Sequence, residues 1–248
     1  MHELFNRTEL LLGKNSLQFM ASRKVLIVGL GGVGAYAAEM ICRAGIGNML
    51  IIDGDTIDKS NINRQILALN DNIGKNKTDV LEQRLKNINP NICVKTITEY
   101  IRNERILEIL SEGFDYVIDA IDILTHKVTL IENCMKLKLP VISAMGAGGK
   151  IDPTMIQITD IEKSFNCKLA KIVRKRLHRK NIYGGFQVVF SPENVNGDII
   201  KADENADSFL TAKSTIGTIS YMPAIFGCFC ASVVVQTFIN QFKQRVNV

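Results

Sequence analysis

Gly29, Gly31 and Gly34 stand in GxGxxG spacing, directly after a short apolar run at 25–29 and ahead of a helical pattern at 33–44. Glycines so spaced let a backbone turn tightly and come close to a phosphate, while unpaired N–H groups of the following helix face its negative charge. A second apolar run at 49–52 ends in Asp53, about 20 residues past the glycines, where a carboxylate can hold a ribose hydroxyl. Asp55 makes a DxD with Asp53, and Ser60-Asn61-Ile62-Asn63-Arg64-Gln65 follows as a polar segment carrying a cation. GxGxxG alone would suit NAD. A dinucleotide has no standing need of an arginine there, whereas a triphosphate with Mg2+ needs both cations and carboxylates, so the pattern points to ATP. Lys77 opens the next helical pattern, where a cation opposes the helix dipole. A bound phosphate would justify it; a plain solvated lysine is the bland reading.

These residues need a scaffold that gathers them. Residues 25–29, 49–52, 92–98, 115–118 and 141–143 read as strands, and 33–44, 77–88, 102–110 and 129–138 as helices. Strand and helix in alternation predict a Rossmann-like, doubly wound α/β fold, a mainly parallel sheet with helices on both faces. Ligands of such sheets gather beyond the carboxyl ends of the strands, where Gly29, Asp53, Asp122 and the 143–149 loop all fall. Asp119, closing the 115–118 run, reads equally as a strand-end cap. Gly146, Gly148 and Gly149 serve either a simple turn or backbone N–H groups facing an anion.

The 248 residues, 46% hydrophobic, suffice for one substantial core, so a single domain over 1–248 is expected, with an N-terminal helical arm at 1–22 and an insertion at 160–213. The net charge of +5 is unevenly placed: 163–192 holds eight Lys and Arg and no acid. Within it a helix at 168–180 would turn Leu169, Ile172, Val173 and Leu177 inward and Lys168, Lys171, Arg174, Lys175, His178 and Arg179 outward. Like charges at helical spacing repel by a few tenths of a kcal/mol per pair, a cost that a polyanion would relieve. A solvated, idle face is the alternative. Residues 194–213, rich in Asn and Asp, read as a mobile loop.

Six cysteines include no CxxC pair, so no tetrathiolate zinc site is expected. Cys42, Cys93 and Cys134 fall in apolar patterns as buried thiols, while Cys167 alone has a polar setting. A reduced, cytoplasmic protein is expected, since Met1 to Gly13 carries no signal pattern. Residues 221–239 are apolar enough to span a membrane, but Pro223, Gly227, Ser232, Gln236 and Thr237 and the lack of a basic flank favour a buried helix.

With GxGxxG, DxD, SNxNRQ, Gly74-Lys75-Asn76-Lys77 and Asp119-Ala120-Ile121-Asp122, the sequence resembles the ubiquitin-activating-enzyme-like superfamily of adenylating enzymes from about Arg7 to the C-terminal helix. Ala144 to Thr154, AMGAGGKIDPT, is most similar to its tRNA threonylcarbamoyladenosine dehydratase branch. The resemblance implies ATP seated by the Gly29–Gly34 loop, Gly32 included, and by Asp53 and Asp55, with Asn61 orienting the polyphosphate. It implies charge stabilisation from Arg64, Lys77 and Asp122 with Mg2+, and from Arg7 reaching into a second subunit of a homodimer. It also implies tRNA against Lys168, Lys171, Arg174, Lys175 and Arg179, and admits a sulfur-transfer protein as partner. Some superfamily members use a catalytic cysteine, for which Cys167 would be the candidate, but an intramolecular cyclisation requires no thioester. The rivals are an adenylyltransferase acting on the C-terminal Gly-Gly of a sulfur carrier, which shares the ATP motifs, and a non-catalytic NAD-binding module.

Overall fold

The computed structural model describes residues 2–195, 200–201 and 215–246. Two short helices, α1 (His2–Leu12) and α2 (Lys14–Ala21), precede the repeating part of the chain. There follow β1 (Lys24–Val28), α3 (Gly34–Arg43), β2 (Asn48–Ile52), α4 (Lys77–Ile88), β3 (Cys93–Ile97), α5 (Asn103–Ser111), β4 (Tyr116–Asp119), α6 (Leu124–Lys136) and β5 (Val141–Ala144). Then come β6 (Gln157–Asp160), α7 (Lys168–His178), β7 (Gln187–Phe190), the two-residue strands β8 (Ile200–Lys201) and β9 (Thr215–Ile216), and α8 (Tyr221–Val246).

Seven strands lie in the order β3-β2-β1-β4-β5-β7-β6, all parallel except β6, which runs antiparallel to β7. The order reverses between β1 and β4, and the crevice at that switch point is where such sheets take ligands. Strand alternation divides the core. Val25, Ile27, Met49 and Ile51 face one way onto α2, α3, α4 and α8; Leu26, Val28, Leu50 and Val117 face the other onto α5, α6 and α7.

Helix α8 packs as the core helix that the sequence reading favours. It is long and apolar enough to cross a bilayer. Yet Met222, Phe226, Cys230, Val234 and Phe238, four residues apart, are buried along one stripe in the first core. Gly227 lets α8 close onto α3: a Cβ there would come within 2.4 Å of the Val33 carbonyl oxygen. Each fully buried phenylalanine on that stripe contributes about 2–3 kcal/mol by removal from water. The remaining side is half-buried at Ile225, Phe229, Val235 and Ile239.

Three sequence expectations change. Helix α6 begins five residues before the predicted 129, because its first turn buries a lysine that a polar reading assigns to a loop. Cys93 is exposed, at the first position of the edge strand β3, rather than buried. Cys167 is buried in the second core, not polar in its surroundings. Of the segment read as a mobile loop, 196–199 and 202–213 lie outside the described residues.

Candidate active site

The first turn after β1 explains its own glycines. Gly29 has φ of +89°, and a Cβ on it would sit 2.6 Å from the Ala120 carbonyl oxygen, so the β1 exit turn and the β4 exit turn touch backbone to backbone. At Gly34 a Cβ would overlap the Gly29 carbonyl oxygen at 1.8 Å, which fixes the helix start against the strand end. Gly31, by contrast, faces open space with only the Gln65 amide nitrogen 3.7 Å from its Cβ position, leaving its backbone accessible to a phosphate. Gly32 abuts both Pro223 at the start of α8 and the Arg64 carbonyl oxygen, at 2.9 and 3.2 Å from its Cβ position. Arg64 is thereby brought beside the phosphate turn.

Asp53 binds the turn from below. Its Oδ2 accepts from the Leu30 N–H at 2.6 Å and its Oδ1 from the Asp55 N–H at 2.7 Å. Burial raises its carboxyl above the ordinary aspartate value, against the opposing pull of Lys77 and those two N–H groups. Lys77 is 4% exposed, not a solvated lysine; its Nζ lies 2.7 Å from Asp55 Oδ2 and 4.0 Å from Asp53 Oδ2. The hydroxyl of Tyr100 donates to Asp55 Oδ1, and its ring lies flush on Gly54. That hydrogen bond, with burial and the charges of Asp55, Asp53 and Asp122, pushes the phenol up to about 12. Tyr100 therefore bonds Asp55 and lies within electrostatic reach of Asp53 and Asp122. No motif marks it, because a lone tyrosine after an edge strand has no pattern.

Arg64 and Asn61 are held locally. Arg64 Nη1 donates to the Ser60 carbonyl and to Asn63 Oδ1, both at 2.8 Å. Asn61 Oδ1 accepts from the Asp58 N–H at 3.2 Å, completing a capping box on the turn that carries Arg64. Asn63 in turn donates to the Thr218 carbonyl at 3.0 Å, and Gly149 N–H donates to the Gly217 carbonyl at 2.7 Å. The 217–218 backbone thus bridges the SNINR segment and the glycine loop after β5.

Asp122 is exposed in the turn between β4 and α6. Among the described residues no group of three His, Cys, Asp or Glu side chains is placed to hold a metal. A Mg2+ ion needs no such cage, since it takes one or two carboxylates together with substrate phosphates and water, and an exposed aspartate at this turn fits that donor set. Three residues earlier, at the end of β4, the chemistry is different: Asp119 is fully buried and paired with Lys127 at 2.7 Å.

Two other predicted groups lie apart from this crevice. Arg7 is exposed on α1, whose Phe5 packs near Leu17 and Gly45, just ahead of the amino end of β2. A five-residue strand of roughly 16 Å separates that end from the crevice. Helix α7 starts close to the crevice, with Leu169 Cβ 3.9 Å from the Cβ position of Gly146. Its inward side is Ala170, Val173 and Leu177, whereas Ile172 is 44% exposed, contrary to the predicted stripe. Lys168, Lys171, Lys175 and Arg179 face outward around Ile172. Arg174 does not: its Nη1 donates to the carbonyls of Ser164 at 2.7 Å and Ile161 at 3.2 Å and to the Ser164 hydroxyl. Lys180 is paired with Glu132 and His178 with Glu162.

Fold and site together define a doubly wound α/β protein whose switch-point crevice is built for a phosphorylated nucleotide. The model of the ThiF family matches residues 5–247, and the chain belongs to that family, on its tRNA threonylcarbamoyladenosine dehydratase branch. A tRNA threonylcarbamoyladenosine dehydratase of Bacillus subtilis (strain 168) is 35% identical over 243 residues, 96% of each chain. The crystal structure of E. coli tRNA N6-threonylcarbamoyladenosine dehydratase, TcdA, in complex with ATP is similar at a TM-score of 0.87 and 34% identity, covering 98% of this chain and 96% of that one. A sulfur carrier protein ThiS adenylyltransferase of Escherichia coli (strain K12) is 33% identical over 136 residues, only 54% of each chain.

Proposed function

We propose that this chain is an ATP-dependent tRNA threonylcarbamoyladenosine dehydratase, closing the threonylcarbamoyl group of the modified nucleoside into a ring. The observation that carries the reading is the junction at Gly32, where the phosphate turn meets the Arg64 backbone, with Lys77 buried beside Asp53 and Asp55. That crevice offers backbone N–H groups, two cations and a ribose-binding carboxylate to one nucleotide.

The chemistry follows from what a carboxylate lacks, a leaving group. Its oxygen attacks the α-phosphorus of ATP, pyrophosphate departs, and an acyl adenylate remains. The carbamoyl oxygen of the same side chain then attacks the acyl carbon, a proton is lost, and AMP leaves with the former carboxylate oxygen. The net change in the nucleoside is the loss of one water. Because the attacking group is already tethered, ring closure has the proximity advantage of an intramolecular reaction. The protein's task is to hold charge: Arg64 and Lys77 at the phosphates, Asp53 and Asp55 with the Gly29–Gly34 turn at the nucleoside, and Asn61 through the turn it caps. Asp122 would hold Mg2+, which supplies neutralisation of the polyphosphate. No cysteine takes part, in keeping with the burial of Cys167.

For Arg7 we infer a role in trans, within a homodimer, since its own crevice lies at the far end of the sheet. The outward cations of α7, Lys168, Lys171, Lys175 and Arg179, would take the tRNA backbone, with Arg174 anchoring the helix that presents them. A cytoplasmic location suits six free thiols and a tRNA substrate. The experiment is pyrophosphate release in the presence of ATP and tRNA: release that requires the threonylcarbamoyl group, with AMP formed one for one, is expected. Release triggered instead by a carrier protein ending in Gly-Gly would assign the rival adenylyltransferase activity.

A further inference from the structure

Beneath the crevice lies a polar cluster with no contact to solvent. Asp119, Lys127 and Ser143 are each 0% exposed. Lys127 Nζ is 2.7 Å from Asp119 Oδ2 and 3.2 Å from Ser143 Oγ, and Ser143 Oγ donates to Asp119 Oδ2 at 2.5 Å. The other carboxylate oxygen, Oδ1, accepts from the Ile121 N–H at 3.1 Å. One side chain thus ties together three elements: the last residue of β4, the first turn of α6 and the third residue of β5.

Burying an ion pair is weak support for stability, because desolvation costs several kcal/mol per ion and apolar residues of similar volume serve as well or better. Cys134 and Cys230, both buried, lie near it. What the pair does supply is direction. The Ile121 N–H is fixed by Oδ1, the Ala120 carbonyl lies against Gly29, and Asp122 follows one residue on. An apolar trio could fill the space but could not hold that N–H.

We propose that Asp119, Lys127 and Ser143 form a positioning cluster that sets the β4 exit turn, and with it Asp122, at a fixed distance from the phosphate turn. The proposal rests on the functional reading above, in which Asp122 faces the polyphosphate. None of the three touches substrate; they act through the backbone of Ala120 and Ile121. Rigid placement matters because a shift of about 1 Å at a reacting centre costs roughly 100-fold in rate.

The test replaces all three groups together, Asp119→Leu, Lys127→Met and Ser143→Ala, so that no side chain of the trio is left unpaired and only the Ile121 N–H loses its acceptor. Melting temperature and ATP affinity by calorimetry should stay close to those of the parent, while single-turnover adenylation slows about 100-fold. Amide exchange at Ile121 should accelerate as well. Adenylation within about threefold of the parent in a folded triple variant would reduce the cluster to packing alone and overturn the proposal. Should the triple variant fail to fold, Ser143→Ala alone is expected to slow adenylation about tenfold at unchanged ATP affinity, and an unchanged rate would again overturn it. Asp122→Asn separates the two levels: if it adenylates normally, the functional reading falls and takes the proposal with it. If it is inactive while the cluster variants are normal, only the cluster's role is lost.

Discussion

At the scale of single residues, Lys77 carries the most argument. Its ammonium sits 4% exposed at the start of α4, between Asp53 and Asp55, in a position where the helix dipole opposes it. Local structure alone gives no reason for a cation there. Lys77→Met should therefore lower the adenylation rate by about 100-fold or more, with a smaller loss of ATP affinity, as removal of a preorganised charge does. Rapid-quench measurement of AMP and pyrophosphate formation reads it directly, and a variant within a few-fold of the parent would remove Lys77 from the chemistry. Lys77, Arg64 and Asp53 were legible in the sequence because each belongs to a spaced motif. Lys127 and Tyr100 were not: one is a lysine on an otherwise ordinary helical pattern, the other an isolated aromatic, and only the packing of β4 against β5 and of Gly54 against a ring gives them meaning.

At the scale of elements, most helices and strands followed their periodicity, α4 over the predicted 77–88 and α3 and β2 within a residue of prediction. Tertiary contacts overrode pattern elsewhere. Strand β6 is short, polar and only half-buried at the sheet edge, so nothing in its residues announces a strand. The faces of α7 depart from the predicted ones at Ile172, expected inward and found exposed, and at Arg174, expected outward and found tied to Ser164, since hydrophobicity assigns one inward and charge the other outward. Replacing Lys168, Lys171, Lys175 and Arg179 by glutamine should weaken tRNA binding by about 100-fold and lower the salt slope by about 3, whereas Arg174→Gln should cost stability and leave the slope unchanged. Fluorescence anisotropy across a salt series distinguishes them; an unaltered slope in the fourfold variant would leave α7 an idle face.

The α3–α4 packing has a pH signature. Glu39, buried on α3, is bonded by Arg84 of α4 at 2.5 Å and Arg43 at 2.8 Å. Burial works to raise its carboxyl, but the two guanidinium groups prevail and hold it below the ordinary 4.5. A depressed folded value means that this stabilisation is full above about pH 4.5 and is lost as pH falls through the folded value. Both arginines are at least partly exposed, so the sum is modest, about 1 kcal/mol. Urea titrations of Glu39→Gln should show that deficit at pH 7 and its progressive loss as pH falls below the ordinary 4.5. A deficit independent of pH would contradict the assignment.

For the whole molecule, the two ends of the sheet do different work. The carboxyl ends gather the phosphate turn, Lys77 and Asp122; the amino ends hold the α1–α2 arm, with Leu10 and Leu11 exposed beside Arg7. An arm that displays leucines to water and an arginine remote from its own crevice suits a second copy of the chain. Mixing Arg7→Ala subunits with Lys77→Met subunits should restore activity to about a quarter of the parent level, because random pairing makes half the molecules mixed dimers with one complete site each. No restoration in verified mixed dimers would confine Arg7 to its own subunit, and full activity of Arg7→Ala alone would leave it without a role.

On the proposed function, the crevice activates a carboxylate on tRNA with ATP. The most direct measurement is the mass of the threonylcarbamoyladenosine nucleoside recovered from tRNA after incubation with the protein, ATP and Mg2+, under mild digestion that preserves the ring. A product lighter by one water, formed with equal AMP and absent without ATP, is predicted. Unchanged nucleoside alongside an adenylated Gly-Gly carrier, or no nucleotide consumed with any substrate, would contradict it.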